Sequence, residues 1–340
     1  MIVAARETRL IAAVALAVLA VASGCASQPK QHAGGLARPA ASVGPKPRAP
    51  VRAPATPAPV GSYGSYRVGE RQLTFIEPAH AGPAGQYLGQ RTLVTQIWYP
   101  RAPGRARAYP LLMFAPGFLQ CPGAYSDLLR AWGSAGYVVA AVNFPRTNCH
   151  LGAEADEADL VNQPQDVSYV LTRLLALSAQ PGGPLSGLMD PHRVGAAGQS
   201  DGGDTVAALA ANTCCTDHRL AAVAVLSGAE WPAMPGRYFP GGAPPMLFVQ
   251  GSADTINPPW MSLQLYRADS SGARYYLDLL GASHLLPYQG TNPVERLVAQ
   301  VTLAFFDRYL LGQAGALERM TRDGDSSGTA VLASGGQLPR

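Results

Sequence analysis

The chain predicts an α/β fold: a mostly parallel central sheet with helices on both faces and no large cap domain. Three features of its 340 residues carry this reading. From Tyr109 to Leu311, short and nearly continuous apolar runs alternate with segments of helical spacing, as strands buried on both faces and joined by crossover helices require. A glycine-rich turn, Gly198-Gln199-Ser200-Asp201-Gly202-Gly203, stands between one such run and the helix after it. Only about 18 residues separate the run ending at Ser227 from the run starting at Met246, which leaves no room for a helical cap.

Taken in order, residues 66–77 and 90–99 read as strands joined by a Gly/Pro-containing loop, and so as an antiparallel pair. Tyr109–Ala115 is an apolar run ended by Pro116-Gly117, and Ala124–Ala135 has helical spacing. Tyr137–Asn143 is a strand; in Gln165–Ala179 the apolar positions Val167, Val170, Leu171, Leu174 and Leu175 fall on one helix face. Arg193–Ala197 predicts a strand, Asp201–Ala211 a helix, and Ala221–Ser227 a strand. Met246–Gln250 continues as a strand, Pro259–Ala268 as a helix, Arg274–Leu280 as a strand and Pro293–Leu311 as a closing helix. Beyond about residue 313 the chain turns Gly/Ser-rich, and 313–340 reads as a flexible tail. The folded unit is expected over 61–312.

The residues that bear on location lie before residue 60. Arg6 and Arg9 precede thirteen unbroken apolar residues, Leu10 to Ala22, too few to span a bilayer but suited to a signal peptide core. Ala22-Ser23-Gly24-Cys25 then resembles a bacterial lipoprotein signal, with residues 1–24 removed and Cys25 lipidated. An ordinary secretory cleavage is the alternative; both readings export the protein, the first to a lipid anchor in the cell envelope. Residues 26–60 hold eight prolines with no aromatic or acidic residue, so 25–60 reads as an extended tether holding the folded domain off a membrane. Residues 1–60 carry seven of the 26 basic groups and one of the 22 acidic ones, leaving 61–340 near −2. No basic stripe remains to follow a phosphate backbone, which argues against nucleic-acid binding.

Three residues point to one chemistry. Ser200 lies on a strand-to-helix turn whose glycines allow neighbouring backbone to pass close, and its hydroxyl is exposed at the sheet edge. Asp254 follows the strand MLFVQ and His284 follows RYYLDLL, both beyond carboxyl ends of strands on the same edge, where reactive groups gather in such sheets. A serine hydroxyl needs a base at neutral pH, here His284; Asp254 would fix the imidazole tautomer. Glu230 is the rival acid and His150 the one other histidine on that edge, read as substrate-side or surface. For the oxyanion of an acyl-transfer intermediate, the donors expected are the backbone N–H of Asp201 and of Phe118 in the loop Ala115-Pro116-Gly117-Phe118-Leu119. Trp231, Phe118 and Trp260 are the candidate cleft residues.

The pieces RTLVTQIWYP, FAPGF, GQSDGG, QGSADTINPP and GASHL span residues 90–285 and resemble the α/β-hydrolase superfamily. Within it the chain is similar to the dienelactone-hydrolase-like branch, with platelet-activating-factor acetylhydrolase-like lipases, chlorophyllase-like proteins and cutinase-type polyester hydrolases. The resemblance implies a serine carboxylic-ester hydrolase working through an acyl-enzyme on an ester substrate with an apolar acyl group or a polyester, without cofactor or metal. Serine at position 200 argues against dienelactone hydrolase activity proper, which uses cysteine. The alternatives are a surface lipoprotein that keeps the scaffold only for binding, or a peptidase or amidase on the same triad.

Four cysteines remain besides Cys25. Cys121 and Cys149 follow successive strands on the catalytic edge, whereas Cys214 and Cys215 follow a helix leading away from it. A disulfide tolerates a Cα separation of only about 7 Å, so Cys121–Cys149 is the expected bridge. Cys214 and Cys215 are left open between a vicinal disulfide and reduced thiols.

Overall fold

The computed structural model describes residues 64–101 and 108–337; the segments expected as signal peptide and tether, Cys25 included, lie outside the described residues. The chain enters through β1 (Arg67–Glu77), makes a small hairpin of β2 (His80–Ala81) and β3 (Tyr87–Leu88), and returns along β4 (Arg91–Arg101). β1 and β4 pair antiparallel over their full length, Arg67 opposite Arg101 and Glu77 opposite Arg91. From there strands and helices alternate: β5 (Tyr109–Ala115), α1 (Ser126–Ser134), β6 (Val138–Asn143), α2 (Gln163–Ala179), β7 (Met189–Gln199) and α3 (Asp201–Ala211). The second half runs β8 (Leu220–Leu226), β9 (Met246–Gly251), α4 (Pro259–Ala268), β10 (Arg274–Leu279) and α5 (Pro293–Leu311).

One nine-stranded sheet results, in the order β1-β4-β6-β5-β7-β8-β9-β10, closed by a ninth strand beside β10. The six strands β6, β5, β7, β8, β9 and β10 are mutually parallel, so their carboxyl ends share one edge. Side chains alternate between the faces of a strand, and all seven residues of β5 are buried. Leu111 and Met113 pack with residues of α2 and α3, such as Leu171 and Val206. Leu112 and Phe114 pack with α1 and α5, including Trp132 and Phe306. Two apolar layers thus sandwich the sheet, which explains why its strands read as continuous hydrophobic runs.

The expected flexible tail is corrected. After Leu311, α6 (Ala316–Gly324) packs on α5, and β11 (Ala330–Ser334) pairs antiparallel with β10, Tyr275 opposite Ser334 and Leu279 opposite Ala330. Arg319 of α6 donates to Asp307 of α5 at 2.7 Å, and Met320 is buried against the α5 layer. The Gly/Ser residues after Gly324 form the reversal into β11 rather than a loose end, with Gly328 at φ 74°. Between β8 and β9 the described residues contain no helix, as the absence of a cap requires.

Candidate active site

Strand β7 delivers Ser200 into a turn that no ordinary residue adopts comfortably: φ 57°, ψ −127°. Its N–H donates to Leu226 O at 2.9 Å and its carbonyl accepts from Asp204 N at 3.0 Å, which fixes the turn between β8 and the first turn of α3. The flanking glycines are required by close approach. A Cβ on Gly198 would meet Gly202 O at 2.0 Å, and one on Gly202 would meet Ala115 O at 1.8 Å. Backbone conformations of this kind cost of order 1–3 kcal/mol and persist at functional sites where the surroundings over-determine them.

Loops beyond β9 and β10 bring two more side chains to the serine. His284 Nε2 lies 2.9 Å from Ser200 Oγ, and His284 Nδ1 lies 2.7 Å from Asp254 Oδ2. The tautomer that donates Nδ1–H to Asp254 leaves Nε2 free to accept the serine hydroxyl. All three residues are buried. Asp254 is further held by Ile256 N and Asn257 N on Oδ1, both at 2.9 Å, and by Gln250 Nε2 on Oδ2 at 3.0 Å. Burial alone would raise its carboxyl; the hydrogen bond and charge of His284, with the two backbone N–H groups, outweigh it and hold the group below its ordinary value. Glu230, the rival acid, accepts instead from Gln264 Nε2 at 3.2 Å. His150 is exposed beside Cys149.

The Pro116–Leu119 loop presses against the serine turn from the other side. A Cβ on Gly117 would meet Gln199 Oε1 at 2.9 Å and Ser200 Cβ at 3.0 Å, so glycine sets how closely the two loops approach. Leu119 N donates to Thr147 O at 2.7 Å, and a Cys121–Cys149 disulfide, Cα–Cα 5.2 Å, ties the two loops together. Phe118 N–H has no hydrogen-bond partner among the described residues, and Asp201 N–H is one of the orphan donors that open every helix. Cys214 and Cys215 are joined as a vicinal disulfide, Cα–Cα 3.7 Å. Among the described residues, the only His/Cys/Asp/Glu cluster tight enough to hold an ion is Cys121, Cys149 and His150, and its sulfurs are consumed in the disulfide.

Two residues that sequence reasoning passed over complete the arrangement. Gln199 donates from Nε2 to His284 O at 3.1 Å and faces His284 Nε2 at 3.3 Å, while its Oε1 accepts from Tyr125 Oη at 2.7 Å. Tyr125 Oη in turn accepts from Gly117 N at 3.2 Å. One chain of polar contacts therefore links the Phe118 loop, the serine turn and the histidine. Gln199 sits at the variable place of the turn motif, so nothing in the motif marks it.

Beside the serine opens a pocket of ≈ 720 Å³. Trp231, half-buried, and Trp260, 59% exposed, both line it; Phe118, expected beside them in the cleft, does not line this pocket. Ser200 and His284 are not in its wall either: the pocket begins one residue on, at Asp201.

A mostly parallel sheet with a serine turn, an acid and a histidine on three loops of one edge, in that order along the chain, defines the α/β-hydrolase class. Residues 92–316 match the family described as PET hydrolase-like, and the chain belongs to that family of ester hydrolases. Comparison with curated proteins gives no match.

Proposed function

We propose that the protein is an exported serine carboxylic-ester hydrolase acting through an acyl-enzyme at Ser200, on esters with an apolar acyl group or on polyesters. The observation that carries this reading is the hydrogen-bonded line Ser200–His284–Asp254, with contacts of 2.9 and 2.7 Å. Membership of a PET hydrolase-like family supports an ester or polyester as substrate. The exposed apolar residues Leu119, Ile256 and Leu286 on loops of the same edge, with Trp260 in the first turn of α4, suit a bulky hydrophobic substrate.

In this mechanism His284 Nε2 takes the Ser200 proton as Oγ adds to the ester carbonyl. Asp254 keeps Nδ1–H pointed at itself and stabilises the imidazolium that forms. The tetrahedral oxyanion is received by Phe118 N–H and Asp201 N–H, each worth roughly 3–4 kcal/mol in such sites. His284 then returns the proton to the departing alcohol, leaving an acyl-Ser200. A water deprotonated by the same nitrogen releases the acid and restores the enzyme. A serine-reactive fluorophosphonate tests the reading: stoichiometric labelling on Ser200 is expected, and no labelling of folded protein contradicts an activated nucleophile.

A further inference from the structure

The pocket beside the serine has a composition that an apolar ester does not call for. Four carboxylates line it, from Glu157, Asp201, Asp204 and Glu230, against one cation among the described residues, Arg237, which is exposed. Asp201 is 6% exposed, and its Oδ2 is buried without a hydrogen-bond partner. Trp231, Trp260 and Tyr238 add three aromatic rings to the wall, beside apolar Pro232, Met234 and Met261. The Glu157 turn is anchored from behind, where Asp159 accepts from Arg91 Nη1 at 2.9 Å and Nη2 at 2.7 Å. Asp166 accepts from the same guanidinium at Nε and Nη2, both at 2.6 Å.

We infer that this pocket is a subsite for an organic ammonium group, so that esters carrying a cationic arm are preferred substrates of Ser200. The inference rests on the ester-hydrolase reading and deepens it. Three considerations select this ligand class. An Asp201 oxygen buried without a partner, with the Glu157 and Glu230 carboxylates in the same wall, favours positive charge. The aromatic faces attract a weakly hydrated cation by the ring quadrupole. The carboxylates also do not converge on a single point: no three of them lie close enough to share an ion among the described residues. Charge spread around ≈ 720 Å³ suits a bulky trimethylammonium or alkylammonium head better than a compact metal ion. Burial, with the charge of Glu157 behind it, pushes Asp201 up to about 7, and burial pushes Asp204 well above the ordinary carboxylate range. A cation in the pocket relieves that repulsion, whereas an ester arm ending in a carboxylate adds to it.

The test compares isosteric pairs. Butyrylcholine is set against 3,3-dimethylbutyl butyrate, with the charge on the alcohol side. The p-nitrophenyl ester of 4-(trimethylammonio)butanoate is set against that of 5,5-dimethylhexanoate, with the charge on the acyl side. In at least one pair kcat/KM should favour the cation by about tenfold, and the ratio should shrink with added NaCl. Asp201→Asn, and independently Glu230→Gln, should reduce the ratio. Neutral esters hydrolysed in a Ser200-dependent manner with a ratio of one or less in both pairs overturn the subsite while leaving the hydrolase reading intact. Binding is read separately from turnover with benzyltrimethylammonium on the Ser200→Ala protein. Saturable quenching of tryptophan fluorescence is expected, from Trp231 and Trp260, because Trp98 and Trp132 are fully buried. The quenching should weaken in Asp201→Asn. No quenching up to millimolar cation, in folded protein, overturns the inference whatever the esterase assays show.

Discussion

Asp254 and Gln199 hold the same histidine from different sides, and they should fail differently. Asp254→Asn keeps the shape but loses the acceptor charge that fixes the tautomer, so kcat should fall by up to about 10⁴. Gln199→Leu leaves the Asp254 contact in place but frees the imidazole from its lateral tether. It should lower kcat about ten- to a hundredfold while KM stays within about twofold; a change in KM alone would deny Gln199 a positioning role. Asp254 also links stability to pH. Its folded-state pKa is held below the ordinary value, so the folded protein binds fewer protons there than the unfolded chain. That contribution is fully present above about pH 4 and is lost as pH falls through the folded value. The difference in Tm between wild type and Asp254→Asn should therefore be widest near neutrality and narrow toward pH 2. A difference that stays constant over that range would contradict the assignment.

At the scale of elements, the strands and helices that meet the core were legible in the sequence and the closing segment was not. The helix Pro293–Leu311 announces both ends: Asn292 accepts from Val294 N and Glu295 N, Pro293 opens the first turn, and Gly312 ends it at φ 67°. α6 offers no such contrast, because only Ala316, Met320 and Gly324 of its nine residues are buried. Its register depends on partners far away in sequence, such as Leu277, against which Gly324 packs closely. Ending the chain at residue 312 should accordingly lower Tm and promote aggregation by baring the edge of β10; an unchanged melting curve would restore the reading of a loose tail. The Cys121–Cys149 bridge encloses a separation of 28 residues, and in the chain-entropy account such a crosslink stabilises by about 3–4 kcal/mol. Cys121→Ser with Cys149→Ser should lower Tm and slow turnover together, since the bridge braces the loop bearing Phe118. Equal melting with and without the bridge would count against that brace.

For the whole molecule, the fold and the meeting of Ser200, Asp254 and His284 followed from order along the chain, because parallel strands send their carboxyl ends to one edge. What order could not reveal was lateral contact: the Tyr125–Gln199–His284 chain and the carboxylate pocket join residues from separate loops. The front end sets a different question, of place. We propose that Cys25 carries a lipid and that residues 25–60 hold the hydrolase off a membrane; radiolabelled palmitate should enter the wild type and not Cys25→Ser. Label in neither, with export retained, would favour a conventional signal. The central claim is that Ser200 carries the acyl group, and hydrolysis of p-nitrophenyl esters from acetate to palmitate tests it most directly. Turnover should be measurable on at least one chain length and should fall by about 10³-fold or more in Ser200→Ala with the fold intact. Turnover that survives in Ser200→Ala would contradict the account.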